Sequence, residues 1–134
     1  MIASLSMYDW PQVRADHDRF WALIRDRLRD EGIAAPDRLT RDESLWRVWE
    51  SPDLLLGQTC GMPYRTRLHG QVELVGTPDY GLPDALPGWY YSVLVARADD
   101  PGETPDFIDR TLAFNGQDSQ SGWAAPQNQM ARLG

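Results

Sequence analysis

Apolar positions recur at spacings of three and four from Val13 through His17, Phe20, Trp21 and Ile24 to Leu28, a pattern that puts them on one face of a helix. Asp9-Trp10-Pro11-Gln12 reads as its start, with Asp9 as cap, Gln12 reaching back in a capping box and Pro11 in the first turn. Gly32 reads as its stop. Ahead of it, Ile2 to Tyr8 is a short apolar-leaning run that suits a buried strand. A second capping box, Thr40-Arg41-Asp42-Glu43, precedes Leu45, Trp46, Val48 and Trp49, and Ser51-Pro52 ends that helix near Glu50.

The continuous run Leu54-Leu55-Leu56-Gly57-Gln58-Thr59 has the length of a strand covered on both faces, which implies a parallel sheet. Beyond it the pattern predicts a helical turn or two over Pro63 to Leu68 and strands over Val72 to Val75, Trp89 to Ala98 and Thr111 to Asn115. Thr77 to Pro83 is loop by its proline and glycine content. The polar loop from Asn115 to Gly122 leads into a helix over Trp123 to Leu133. Alternating strand and helix gives an α/β class with a mainly parallel sheet and flanking helices. The proline-bearing connection Asp99 to Pro105 marks a boundary, so residues 1–98 are expected to form one lobe and 99–134 the start of another.

Composition removes several function classes. Thirteen basic against twenty acidic residues give a formal charge of −7, which argues against nucleic acid or an anionic membrane surface as partner. No stretch approaches the roughly 18 apolar residues that span a bilayer, so membrane insertion is not expected. Met1 to Met7 lacks a basic n-region and an apolar core of secretory length, so the chain as written is expected in the cytoplasm, or in the periplasm if a leader was removed. A single cysteine, Cys60, leaves no internal disulfide framework.

The candidate chemistry lies at strand ends. Asp118-Ser119-Gln120-Ser121-Gly122 opens a helix, where free backbone N–H groups, the helix dipole, two hydroxyls and an unhindered glycine can converge on an oxyanion; the same residues also suit an ordinary serine cap. Gln58 to Tyr64 follows the buried strand, and ligands of parallel sheets sit at such carboxyl ends, which singles out Thr59 and Tyr64; a turn with a buried cysteine fits as well. Tyr8 can present its ring or hydroxyl from the end of the first strand. Catalysis finds no constellation: His17 falls on the apolar helix face and His69 in a Leu-His-Gly turn, neither placed to serve Cys60, and the two histidines lack metal-ligand spacing. No enzyme, metal or cofactor is therefore expected. Trp21, Trp46 and Trp49 read as core, whereas Trp10, Trp89 and Trp123 sit near the proposed ligand loops.

In order along the chain, Ser-Leu-Ser-Met-Tyr-Asp, Asp-Leu-Leu-Leu-Gly-Gln-Thr-Cys-Gly-Met-Pro-Tyr, Thr-Pro-Asp-Tyr-Gly, Tyr-Ser-Val-Leu-Val-Ala-Arg and Asn-Gly-Gln-Asp-Ser-Gln-Ser-Gly resemble phosphate/phosphonate ABC-transporter substrate-binding proteins. The resemblance implies the first lobe of a type 2 periplasmic-binding-protein fold plus the start of the second. It implies a solute-binding module for a small anion, with Ser119, Ser121 and Gly122 as the cradle of the second lobe and Tyr8, Thr59 and Tyr64 facing it from the first. An ABC permease would then be a partner. A ligand-sensing domain in the cytoplasm, or a biosynthetic enzyme on the same fold, is the alternative. An incomplete second lobe would leave apolar surface around Trp123 to Leu133, which predicts a homo-oligomer.

Overall fold

The computed structural model describes residues 1–133, an α/β chain with a small two-stranded parallel sheet and a few helices. It falls into two compact units, the first Met1–Thr59 and the second from Cys60 on. The division comes after Thr59, well ahead of the polar connection at Asp99 to Pro105.

In the first unit, β1 (Ile2–Ser4) pairs in parallel with β2 (Leu54–Gly57), joining Ile2 to Leu54, Ala3 to Leu56 and Ser4 to Gly57, with an irregularity between Ile2 and Ala3. The connection between them carries α1 (Arg14–Asp30) and the short α2 (Leu45–Trp49). A parallel pair cannot be closed by a hairpin, so such a crossover is what its geometry requires. The loop after α1 completes the edge of β1: Thr40 donates its backbone N–H to the Ala3 carbonyl at 2.7 Å.

The core is small and centres on Trp21, which is 1% exposed among Ala3, Leu5, Ala35 and Leu39, with Ile24, Leu28, Leu55 and Leu56 packed against it. Its indole N–H donates to the Pro36 carbonyl at 3.1 Å, so the one polar atom of the ring is satisfied where water cannot reach. Trp49 repeats the device, donating to the Gln58 carbonyl at 2.9 Å. Trp46 is half-buried edge-on against Trp49, at 5.0 Å between ring centroids.

The expected stop of the first helix is present in full. Gly32 adopts φ +76, its N–H bonds to the Arg29 carbonyl at 3.0 Å, and Ile33 bonds back to Leu28 at 2.8 Å. That pair of bonds is a Schellman closure, which needs a left-handed residue at this position. The expected starts are different. Val13 is the cap residue of α1 and no side chain caps it, because Asp9 is drawn to charged partners instead. For α2 the cap is Ser44, whose hydroxyl accepts from Arg47, while Thr40 bonds to β1 and Arg41 to Asp9. The Leu54–Leu56 run is half-buried, a less complete cover than its composition suggests.

In the second unit, α3 (Gly61–Pro63) runs into a wider turn over Tyr64–Leu68, and a like turn over Gln120–Ala124 runs into α4 (Ala125–Leu133). The strands expected at Val72 to Val75, Trp89 to Ala98 and Thr111 to Asn115 do not form; Val72 makes only an isolated bridge to His69. Strand propensity is a preference for a pleated, half-buried surface, and a run with no neighbouring strand has no ladder to join. Val93 and Val95 remain exposed, Val95 at 88%. No helix of the described residues is long and apolar enough to cross a membrane.

Because Trp21 organises the core of the first unit, Trp21→Ala is expected to cost about 3–5 kcal/mol in urea unfolding. Gly32→Ala should cost only about 1–2 kcal/mol: the added methyl meets open space and pays for the left-handed backbone alone.

Candidate functional site

The helix start after Asp118 is built from the loop upward. Ser119 is buried, with its N–H bonded to the Gly116 carbonyl at 3.1 Å and its hydroxyl accepting from the Gly122 N–H at 3.0 Å. Its carbonyl accepts from Trp123 and Ala124 at 3.2 and 3.1 Å, so one residue anchors the whole first turn. Gly122 is explained by its neighbour: a Cβ there would collide with the Asn115 carboxamide, which fills the space that sequence reasoning left for a ligand.

Against this helix start lies the turn that follows Cys60. Gly61 packs beside the Gln120 side chain, and Arg65, four residues on, donates from Nη2 to Gln120 Oε1 at 2.5 Å and from Nε to the Gly61 carbonyl at 3.2 Å. No carboxylate pairs with Arg65 among the described residues. A guanidinium thus stands beside the positive end of a helix dipole with only neutral partners. Tyr90 joins from the irregular segment Trp89 to Ala96: its phenol is held above its ordinary value of 10.0 by burial first and by the nearby Cys60, with a hydrogen bond to Ser121 acting against the shift. Trp123 packs on Phe114, ring centroids 4.5 Å apart, so it supports the loop from behind.

No protein-family model, curated protein or solved structure matches the chain.

Of the six residues singled out from sequence, Ser119, Ser121 and Gly122 are brought together at this helix start. Tyr64 lies in the second unit too, half-buried with its ring edge-on to His69 at 5.8 Å. Tyr8 and Thr59 belong to the first unit, Tyr8 exposed and Thr59 half-buried. Sequence reasoning missed Arg65, Gln120 and Tyr90. The signal for Arg65 was local, since it sits at i+4 from Gly61 on a turn expected to be helical. Nothing local marked its contact with Gln120, which is 55 residues away.

The densest polar cluster lies in the first unit. Asp9, 7% exposed at its side chain, receives Arg41 Nε on Oδ2 at 2.6 Å and Arg41 Nη2 on Oδ1 at 3.3 Å, with His17 Nδ1 at 3.0 Å and Arg14 Nε at 3.3 Å. Arg41 also reaches Asp18 at 2.9 Å. His17 therefore turns from the apolar face to a carboxylate, contrary to its sequence reading, because a buried anion outbids packing for a donor. The strand expected over Ile2 to Tyr8 stops at Ser4 and gives way to a helical turn at Ser6–Tyr8, and the cluster ties the residue after that turn to α1 and to the loop before α2. With every strong acceptor of Asp9 engaged, it reads as a clamp rather than a ligand site.

The Arg41 hydrogen bond holds the Asp9 carboxyl below its ordinary value of 3.8, so its contribution to stability is complete above that pH and is lost as pH falls through the lowered value. Asp9→Asn is expected to be less stable than the parent at neutral pH, with the gap in urea midpoint closing only in strong acid. Gly122→Ala must displace the end of the exposed Asn115 side chain, so only a small destabilisation of the second unit is expected, and the added change Asn115→Gly should remove it; a double-mutant cycle in thermal unfolding reads this coupling.

Proposed function

We propose that the chain is a solute-binding module for a small anion such as phosphate or a phosphonate, held at the helix start of the second unit. The observation that carries this reading is Arg65, a guanidinium fixed by Gln120 at that helix start and free of any carboxylate among the described residues. A chain of formal charge −7 does not gather free anions by its overall field, so a local cation beside backbone N–H groups is what such a ligand needs. Arg65 supplies donors with the opening turn of backbone around Gln120, and the Ser121 hydroxyl adds one by accepting from the Tyr90 phenol while donating to the anion. Ser119 and Gly122 shape the turn, since the Gly122 N–H is already spent on the Ser119 hydroxyl.

The resemblance to substrate-binding proteins of phosphate and phosphonate transporters supports the same ligand class, and on that reading an ABC permease is the partner that receives the solute. The reading assigns no reaction to the chain. Ser121 and Arg65 bind and orient, and no nucleophile is required of them.

Titration calorimetry with inorganic phosphate and with methylphosphonate tests the assignment. Binding of at least one is expected, weakened about tenfold by Arg65→Gln and by a similar factor in Ser121→Ala, the loss of one charge-assisted hydrogen bond in each case. Absence of heat with both anions would overturn the proposal, and binding unchanged in both variants would move the site away from this helix.

A further inference from the structure

Helix α1 carries a second ordered stripe on the face turned away from the core. Asp16, Phe20, Leu23 and Arg27 follow one another at spacings of four, three and four, so they line up on one side of the helix, and all four are exposed. Phe20 is 53% and Leu23 69% exposed, a large apolar pair in the middle of a helix whose core face is already used by Trp21. Beside them runs a groove of about 420 Å³ lined by Leu23, Ile24, Arg27, Leu28 and Glu31. The stripe is acidic at its N-terminal end and basic at its C-terminal end. Asp16 carries an exposed pair with Arg19, while Arg27 has no carboxylate partner among the described residues, although Glu31 lies one turn away.

That order is self-complementary. When two copies of α1 lie antiparallel about a twofold axis midway between Phe20 and Leu23, Phe20 of each faces Leu23 of the other, and Asp16 of each faces Arg27 of the other. Both apolar pairs and both charge pairs form at once, which is the requirement an isologous interface sets. The antiparallel arrangement also sets the helix dipoles head to tail. The groove at Leu23, Ile24 and Leu28 provides room for the incoming phenyl ring.

We propose that the outer face of α1 is a homodimer seam, occupied by α1 of a second copy of this chain. The occupant is argued from the charge order: a partner with a uniformly acidic or uniformly basic helix would satisfy one end of the stripe and repel the other. A helix of 17 residues is about 25 Å long, so one helix pair buries less than a standard interface, and the association belongs in the micromolar range.

Sedimentation equilibrium on the full chain over a micromolar to submillimolar range is the test, with circular dichroism to verify that each variant keeps its helices. The parent is expected to show a monomer–dimer equilibrium. Leu23→Lys should abolish it, and Asp16→Arg or Arg27→Asp alone should each weaken it about tenfold by breaking two symmetric pairs and creating like-charge contacts. The doubly reversed chain, D16R with R27D, should dimerise again, a result no merely structural role for these residues would produce. A parent that stays monomeric throughout overturns the proposal. So does a dimer insensitive to Leu23→Lys, or one lost instead on Val93→Lys, which would put the contact in the irregular segment.

Discussion

Parallel strands as short as β1 and β2 supply few backbone hydrogen bonds, so the pair persists only while something heavy and apolar is held against it. Trp21 does this. Its ring fills the space beneath Ala3 and Leu5, and its N–H is tied to the chain that returns from α1 at Pro36, so a single side chain fixes the distance between helix, strand and loop. The Schellman closure at Gly32 aims that returning chain, Thr40 then bonds to β1, and Arg41 arrives beside Asp9. These contacts converge on the same helix, strand and loop, so the Asp9 cluster clamps an arrangement that apolar burial also favours.

What could be read from the sequence follows the range of the interaction. The first helix and its glycine stop were legible because periodicity and a left-handed C-terminal residue are local facts. That the sheet is parallel was legible from the apolar run at Leu54 to Leu56, but not that Ile2 to Ser4 is the strand that pairs with it. The first helix start was misread for a reason of energy: Asp9 had an adequate local role as a cap, but a buried carboxylate gains more from the Arg41 guanidinium than from neutral backbone groups. The three absent strands show the opposite limit. Trp89 to Ala98 has every compositional mark of a strand, yet strand formation depends on a neighbour that no local pattern can supply.

The candidate site divides in the same way. Ser119 and Gly122 were found because serine before a helix and glycine within its first turn are short-range signals, although the glycine answers to Asn115. Arg65 was not found, since its placement depends on the contact with Gln120 from a distant part of the chain. A site of neutral dipoles thus becomes, with the side chains in place, a site with one cation.

The irregular segment from Trp89 to Ala96 has a bearing on handling as well as on structure. It contains no proline and no charged residue, is rich in aromatic and branched side chains, and leaves Val93 and Val95 in solvent. Such a stretch has the composition of a cross-β spine. Arg97, Asp99 and Asp100 follow it directly, with Arg97 paired to Asp99 at 2.8 Å. Charges at the border of an apolar run act as gatekeepers, since stacking identical segments in register would stack like charges every 4.7 Å or so. The ionic residues next to that run therefore oppose such stacking, and neutralising the two aspartates would weaken that opposition.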